Sequence, residues 1–533
     1  MGKKQIKNIK LKSSPDNNTD ENSLKDSAVM DFDCGICTDD LEQDAISDID
    51  RYLGEYNQSS TREFISVTQG LTILSCIIFF VILFILCPQI IIPAFLIFGS
   101  ILHFSLTTIK HFLFKLKKKI ISLRDTYLDA IKNIFQDRKY ELDSYPIYSI
   151  LLPVFMEEKE VLTQLLEAIY NLDYPKEKLQ VLLILEAIDE DTINNVKQIN
   201  SKLNYQLIIV PDFNPRTKAK ACNYALNFVQ GEYVVIFDAD DIPSPDQLQL
   251  AIDRFKNEDP KLACLQAKLN YYNADENLLT RLFSLEYALL FDKLLPSLSQ
   301  NNYPLPLGGT SNHFRTDALK SLKGWDIYNL AEDAELGIRL AINGYKTETI
   351  DSYTAEESPV TIWAWIKQRS RWLKGFIQTY LLYLQKGNNL TEKIGARKSF
   401  ISMHFMLGLS TLSLLITPIM AIFGLLVVNG YTSIDNEINI LILTCAGLSA
   451  VLWIVSNVYQ SIKTIKSSTF LKNMSTLKKI ILIVTFPTYF ILHTIAALYA
   501  VLDLIRRPFY WSKTKHGLTK SKLAITKLFS RSS

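Results

Sequence analysis

The run Val234-Val-Ile-Phe-Asp238-Ala-Asp240-Asp241 places three carboxylates within four positions at the end of an apolar stretch. Gly231 and Glu232 open it, and the turn residues Ile242-Pro-Ser-Pro245 close it. An uninterrupted apolar run reads as a buried parallel strand, and ligands of open α/β sheets collect at the carboxyl ends of such strands. Carboxylates this close repel one another, so they stay ionised only where water, a hydrogen-bond network or a cation compensates. Mg2+ or Mn2+ carrying a diphosphate is the simplest compensator, because hard cations take oxygen ligands and often keep phosphate in the shell. A short acidic turn alone reads equally well as a solvated loop, so its surroundings decide.

Those surroundings supply the elements that would hold the acids. Tyr148 to Phe155 is an apolar strand ending beside Glu157, and Glu160 to Asn171 has helical periodicity closing at Asp173-Tyr-Pro175. Gln180 to Leu185 is a second strand, followed by Glu186, Asp189 and Asp191. Tyr205 to Val210 is a third, leading through Arg216-Thr-Lys218-Ala-Lys220 into a helix over Ala221 to Val229, and Val234 to Phe237 is the fourth. Strand, helix, strand at this spacing predicts a parallel α/β sheet with acids and cations at one edge. That is a nucleotide-diphosphate constellation: Asp189 can accept from a base or ribose, and Lys218 can offset phosphate charge. Lys218 and Lys220 also suit a plain solvated loop. No GxGxxG or GxxxxGK[ST] stands at a strand end, which removes the main support for dinucleotide and P-loop readings.

The rest of the chain is unlike a soluble protein. Leu71 to Cys87 carries no charge and is followed by Ile90 to Ile109, a pair that reads as a membrane hairpin broken at Pro88. Ile401 to Val428, Ile438 to Val458 and Ile480 to Leu502 are further apolar blocks. The first lies too far in to be a signal peptide. Lys110, Lys115, Lys117, Lys118 and Lys119 should remain cytosolic, which places residues 110–395 in the cytosol. Lys463, Lys466, Lys472, Lys478 and Lys479 place the loop after the fourth block there too. A single crossing by the fifth block would export Arg506, Arg507, Lys513, Lys515 and His516, so a bent or re-entrant pair at Pro487 is expected instead. The 57 Lys+Arg against 55 Asp+Glu give a net charge of +2, which offers no support for a nucleic-acid partner. Residues 1–60 read as a flexible tail. Cys34-Gly-Ile-Cys37 lacks the second pair a structural zinc site needs, and a cytosolic setting means free thiols.

From Tyr148 to about Gly517 the chain resembles the membrane-embedded family 2 glycosyltransferases, the group of cellulose, hyaluronan and chitin synthases, and most of all their bacterial exopolysaccharide relatives. Four signatures occur in the family's order: Asp189 after the second strand, Asp238-Ala-Asp240 after the fourth, Glu332-Asp333 at a helix start, and Gln368-Arg-Ser-Arg371-Trp372. Pro306-Leu-Gly-Gly-Thr-Ser-Asn-His313-Phe-Arg315 resembles the acceptor-side segment of the bacterial relatives, and Arg507-Pro-Phe-Tyr-Trp-Ser-Lys-Thr-Lys-His-Gly517 their carboxyl-terminal signature. Where relatives often have two adjacent aspartates, this chain has Ile188 before Asp189. Residues 1–60 lie outside the resemblance.

The resemblance implies an α/β GT-A (Rossmann-like) cytosolic domain inserted between amino- and carboxyl-terminal transmembrane helices of a multi-pass cell-membrane protein. The expected division is a tail over 1–60, a transmembrane hairpin over 61–110, a linker over 111–147, the catalytic domain over 148–357, interfacial helices over 358–395, a transmembrane region over 396–504 and a basic tail over 505–533. It implies a single inverting displacement, with Asp333 as general base tuned by Glu332. Both residues would also serve as a plain helix cap. Asp240, with Asp238, would hold Mg2+ or Mn2+, Asp238 alternatively contacting ribose. Phe155, Glu157, Asp189, Lys218, Asp238, Gln368 and Arg371 would bind the nucleotide-sugar donor. Trp372 would stack on the acceptor sugar, with Trp325 and His313 further acceptor candidates, although Trp325 suits a core position equally. The mixture of tryptophans and cations over Thr361 to Leu382 suits an amphipathic helix at a membrane surface. The expected activity is elongation of a β-linked polysaccharide from a UDP-sugar, coupled to export, with membrane lipid and accessory export proteins as partners. Transfer of one sugar to a lipid acceptor, or an inactive scaffold retaining the fold, are the alternatives.

Overall fold

The computed structural model describes residues 60–116, 145–385, 394–431 and 436–511. The Cys34/Cys37 pair, nearly all of the expected tail, Lys117 to Lys119 and the end of the carboxyl-terminal signature from Ser512 onward lie outside the described residues.

The central sheet comprises β1 (Tyr148–Val154), β2 (Leu179–Glu186), β3 (Gln206–Val210), β4 (Tyr233–Ile236), β5 (Ile242–Pro243), β6 (Leu262–Tyr271), β7 (Asn312–Arg315) and β8 (Lys346–Glu356). Their order is β3-β2-β1-β4-β7-β6-β8-β5. β1 lies parallel to both β2 and β4, and β2 is parallel to β3, so these strands form one doubly wound half. β7 runs antiparallel to β4 and β6 and joins that half to the parallel β6–β8 pair. Every residue of β4 is buried, as expected for a strand covered on both faces. The covering helices of the first half are α3 (Lys159–Tyr170), α4 (Glu190–Lys197), α5 (Lys218–Leu226) and α6 (Gln247–Lys256). α6 shows the logic: Leu248, Ala251, Ile252 and Phe255 recur at helical spacing, and all are buried. Phe255 stacks on Tyr233 of β4 at 4.8 Å.

The site-bearing segments follow. α7 (Leu278–Leu289) and α8 (Glu332–Ile342) bracket β7 in the chain, and β8 leads into the long helix α9 (Ile362–Gln385). Two helices precede the sheet, α1 (Val67–Leu86) and α2 (Pro88–Leu116). After α9 come α10 (Ile394–Met403), a π-helical turn over His404–Leu409, α11 (Ser410–Val428), α12 (Asn436–Ser467) and α13 (Thr476–Arg506). Among the described residues five helical spans are long and apolar enough to cross a membrane: α1, α2, the run from α10 through α11, α12 and α13. Their outward faces carry exposed large apolar residues, such as Phe79 and Leu86 on α1 and Leu425 and Val428 on α11. Exposed apolar surface on this scale marks a face made for a membrane or a protein partner.

The fifth span corrects the re-entrant expectation. α13 is one continuous helix of 31 residues with Pro487 inside it. It keeps the following residues beside the catalytic sheet in another way, by touching that domain and α9 along its length. Lys478 near its start pairs with Asp275 at 2.5 Å, Tyr489 at mid-helix donates to Glu286 at 2.8 Å, and Asp503 near its end pairs with Lys374 at 2.5 Å. Its opposite face exposes Val484, Ile491, Leu498 and Leu502.

Candidate active site

The acids at the end of β4 divide by burial. Asp241 is fully buried, and its carboxylate accepts from the Asp238 N–H at 2.6 Å and from the Thr310 hydroxyl. It folds the turn that leaves Asp238 and Asp240 facing a crevice of about 320 Å³. Asp240 accepts from the Glu357 N–H at 2.8 Å. Asp238 is in contact with the Lys218 ammonium, which also donates to the Gly309 carbonyl at 2.6 Å. Burial opposes the Lys218 charge, but the neighbouring Asp238 outweighs it and keeps the amine above its ordinary pKa.

Lys218 and Lys220 are not on a loop. Thr217 caps α5 by accepting from the Lys220 N–H at 3.3 Å, which starts the helix at Lys218. Lys220 is 2% exposed and pairs with Glu186 at 2.6 Å, so the solvated-loop alternative fails for it outright. Asp189 is placed differently from the expectation that it faces the donor. It is buried, does not line the crevice, and its oxygens accept from Thr192 N–H at 3.2 Å and from the Met156 N–H. Met156 has φ of 53°, a left-handed conformation that a side chain resists, so Asp189 secures this turn. The turn presents Phe155 and Glu157, both of which line the crevice.

Glu332 and Asp333 open α8 at the crevice wall. The cap position is Ala331, which has no side-chain oxygen; Asp333 Oδ1 accepts from the Ala334 N–H at 2.7 Å. A methyl group added at Gly309 would stand 3.4 Å from Asp333 Oδ2, which puts that oxygen beside the Lys218 anchor point. Burial, and then the charge of Glu332, push Asp333 up to about 7. Burial also raises Glu332, against the pull of Lys218.

α9 contributes Gln368, Arg371 and Trp372 to the same crevice. Gln368 Oε1 and Arg371 Nε are buried without a hydrogen-bond partner among the described residues, so both are free to meet a ligand. The Trp372 ring lies 6.0 Å from Tyr287 and 6.2 Å from Phe283, both on α7. α9 reaches the acids because Gly375 is a glycine: a Cβ there would come within 2.4 Å of the Ala331 nitrogen, one residue before Glu332.

Two acceptor candidates do not reach the crevice. His313, on β7, is fully buried between Tyr148 Oη at 2.7 Å and Gln247 Oε1 at 3.1 Å, and burial drives its pKa down to about 3. Trp325 is 2% exposed, edge-on to Phe314 at 5.8 Å, with its backbone N–H donating to Asn223 Oδ1 at 2.9 Å. Both are core residues, because β7 sits mid-sheet and the Gly324–Trp325 turn packs on α5.

Two crevice residues were not singled out by sequence. Trp511 lies 6.5 Å from Phe155 and 5.6 Å beneath the Arg371 guanidinium. It is held there by buried Lys374, whose ammonium donates to the carbonyls of Arg507 at 3.0 Å and Tyr510 at 3.1 Å. Its place in the Arg507 to Gly517 signature was the available signal. Arg369 also lines the crevice; as the residue after Gln368 it was visible only as a cation on the helix.

The donor set fits a hard divalent cation. Besides Asp238 and Asp240, Glu356 lines the crevice with Oε1 lacking a hydrogen-bond partner among the described residues, and burial followed by the neighbouring aspartates raises its pKa. Among the described residues no group of three or more His, Cys, Asp or Glu side chains is arranged around one metal position. Asp238 and Asp240 would therefore share a cation with diphosphate and water oxygens.

Residues 233–492 match the model of the family described as Glycosyl transferase family group 2. The probable glycosyltransferase YdaM of Bacillus subtilis (strain 168) is 28% identical over 271 residues, covering 50% of this chain and 64% of that protein. Glucomannan 4-beta-mannosyltransferase 2 of Arabidopsis thaliana is 27% identical over 265 residues, covering 45% of this chain and 46% of that protein. The fold is that of the mannosyltransferase PcManGT from Pyrobaculum calidifontis, solved with GDP-Man and Mn2+; the TM-score is 0.51 at 18% identity, covering 78% of this chain and 99% of that one. The GT-A-like sheet and these matches make the chain similar to family 2 glycosyltransferases, and it spans less than two thirds of the length of the curated relatives it matches.

Proposed function

We propose that the chain is an inverting glycosyltransferase of the cell membrane that takes sugar from a nucleotide diphosphate, UDP by preference, and elongates a β-linked polysaccharide at the cytosolic face, passing the product out through its own helices. The observation that carries this reading is convergence: Asp238, Asp240, Asp333, Gln368, Arg371 and Trp372, spread over 135 positions, line one crevice between the sheet and the apolar helices. A divalent cation at Asp238 and Asp240 would supply neutralisation of the leaving diphosphate. Lys218 and Arg371 add fixed positive charge for the same oxygens. Asp333 accepts the acceptor hydroxyl proton as the new oxygen–carbon bond forms and the bond to the diphosphate breaks. Its raised pKa suits a base working near neutrality. Trp372 offers the acceptor sugar a flat face.

A polysaccharide product fits the likeness to a protein named as a glucomannan mannosyltransferase, and the same name makes a nucleotide-linked mannose the competing donor. Phe376, Met406 and Leu407 give the crevice an apolar flank, which favours a second reading, one sugar added to a lipid. Purified full-length chain in nanodiscs, given radiolabelled UDP-glucose, UDP-N-acetylglucosamine or GDP-mannose with Mn2+, decides between them. A ladder of lengthening products from a UDP-sugar is expected. A single addition extracted with lipid would sink elongation, activity with GDP-mannose alone would sink the UDP assignment, and neither transfer nor hydrolysis with any donor would leave only a scaffold.

A further inference from the structure

Beneath Trp372 lies an ion pair that the proposed chemistry does not use. Arg369, one turn back on α9, places its guanidinium 4.5 Å from the Trp372 ring centre, 5.1 Å from Phe283 and 5.4 Å from Trp365. A cation held among three aromatic faces is both packed and electrostatically favoured. The guanidinium is not aligned for a hydrogen bond; its Nη2 stands 2.7 Å from Glu286 Oε1 as an ion pair, and Nε is buried with no partner among the described residues. Only 9% of the Arg369 side chain and 21% of the Glu286 side chain are exposed.

Glu286 is on α7, which also carries the two rings, Phe283 and Tyr287, that pack on Trp372. Its other contacts come from α13: Tyr489 donates to Oε2 at 2.8 Å and His493 Nε2 lies 3.2 Å from Oε1. Tyr489 and His493 in turn pack on Trp365 at 5.1 and 4.9 Å. Burial works against the Glu286 charge, but Arg369 and His493 overcome it and hold the carboxyl at about 2. A buried ion pair contributes little net stability compared with an apolar pair of the same volume, so stability alone does not account for its presence.

We infer that Glu286 and Arg369 are positioning residues that set the Trp372 ring for the acceptor sugar and tie that setting to α13. The inference rests on the reading of Trp372 as the acceptor platform. Fixing the ring against α7 and α13 keeps the acceptor hydroxyl in register with Asp333, while the diphosphate groups Lys218 and Asp238 sit on other elements, α5 and the turn after β4. The consequence is a split between donor handling and transfer.

The measurement is the ratio of labelled sugar incorporated to nucleoside diphosphate released, with donor KM alongside, on full-length chain in nanodiscs using the nucleotide sugar that supports turnover. Glu286→Gln leaves Arg369 buried without a counter-charge and is prone to unfold, so it is paired with the double exchange Glu286→Gln, Arg369→Met, which removes both charges at similar volume. Both are expected to lower the ratio by about 10-fold, with donor KM within about 2-fold of wild type, the scale of a misplaced reacting group. Adding Glu286→Gln to Trp372→Ala should lower the ratio no further than Trp372→Ala alone, because the two act as one unit. A folded double exchange with a wild-type ratio, or losses that multiply in the Trp372→Ala background, overturns the inference alone. A wild-type ratio for Trp372→Ala overturns it together with the platform assignment.

Discussion

Asp333 shows how a single carboxyl acquires a task from its surroundings. Burial and the adjacent Glu332 charge raise it to about 7, so near neutrality it exists in both forms and only the deprotonated one accepts a proton. The rate of transfer at low substrate should therefore rise with pH through about 7 and fall away below it, a dependence read from kcat/KM profiles of the purified enzyme. Asp333→Asn keeps the contact to the Ala334 N–H. It should melt close to wild type, bind donor, and transfer at least roughly 10²-fold more slowly; near-normal transfer would shift suspicion to Glu332. At the diphosphate end, Asp240→Asn should lose on the order of 10³-fold in turnover, and EDTA should silence the wild-type enzyme; undiminished activity in EDTA would remove the cation from Asp238 and Asp240. Asp189 and Asp241 carry the same chemistry but different work, since both are spent on backbone N–H groups that shape the crevice turns.

α9 is the element on which the site depends. One face brings Gln368, Arg371 and Trp372 to the crevice, Gly375 lets it lie on Ala331, and Lys374 and Gln378 hold the backbone of residues 507–510. Gly375→Ala forces a Cβ to within 2.4 Å of backbone, where nothing flexible can yield. A destabilisation of about 1–3 kcal/mol in denaturant unfolding, with activity lost beyond that share, is the expected result. Lys374→Met releases the carbonyls of Arg507 and Tyr510 and leaves Asp503 with Arg507 alone. It should raise donor KM through the loosened Trp511 while α9 stays folded by circular dichroism; an unchanged donor KM would show that Trp511 does not contribute to donor binding.

For the whole molecule, the informative contacts are those at the two ends of α13. Lys478 pairs with Asp275 of the catalytic domain and Asp503 with Lys374 of α9, so the helix rests on both and exposes an apolar face away from them. We expect single cysteines placed at Lys472 and at Arg506, in a background lacking the native ones, to react with a membrane-impermeant maleimide from the same side as the catalytic domain. Labelling from opposite sides would make α13 a full crossing. The first helix begins on that domain too, with Ser60 donating to Asp326 at 2.9 Å and Gln69 donating to the Leu381 carbonyl at 3.2 Å.

What the chain reveals before folding follows from short-range physics. Apolar runs ending in acids specify parallel strands with a charged edge, and Thr361 to Leu382 announces a helix by its period, because burial of side chains at a fixed spacing is a local rule. The acids at 238 and 240 were therefore visible, while Glu332-Asp333 and the Gln368-x-x-Arg371-Trp372 set stood out through the family resemblance, and the crevice gathers them all. Direction was not visible. His313 and Trp325 stand in suggestive segments yet point into the core, and Asp189 turns to Met156, since which way a side chain faces depends on the layers packed around its strand or turn. Lys220 suits a solvated loop, and nothing local marks Glu286 or Arg369, until residues tens to hundreds of positions away bury them. Sequence alone determined the elements and the chemical types at their ends; the tertiary structure decided which of those groups meet, because long-range burial, not local spacing, assigns each charge its partner.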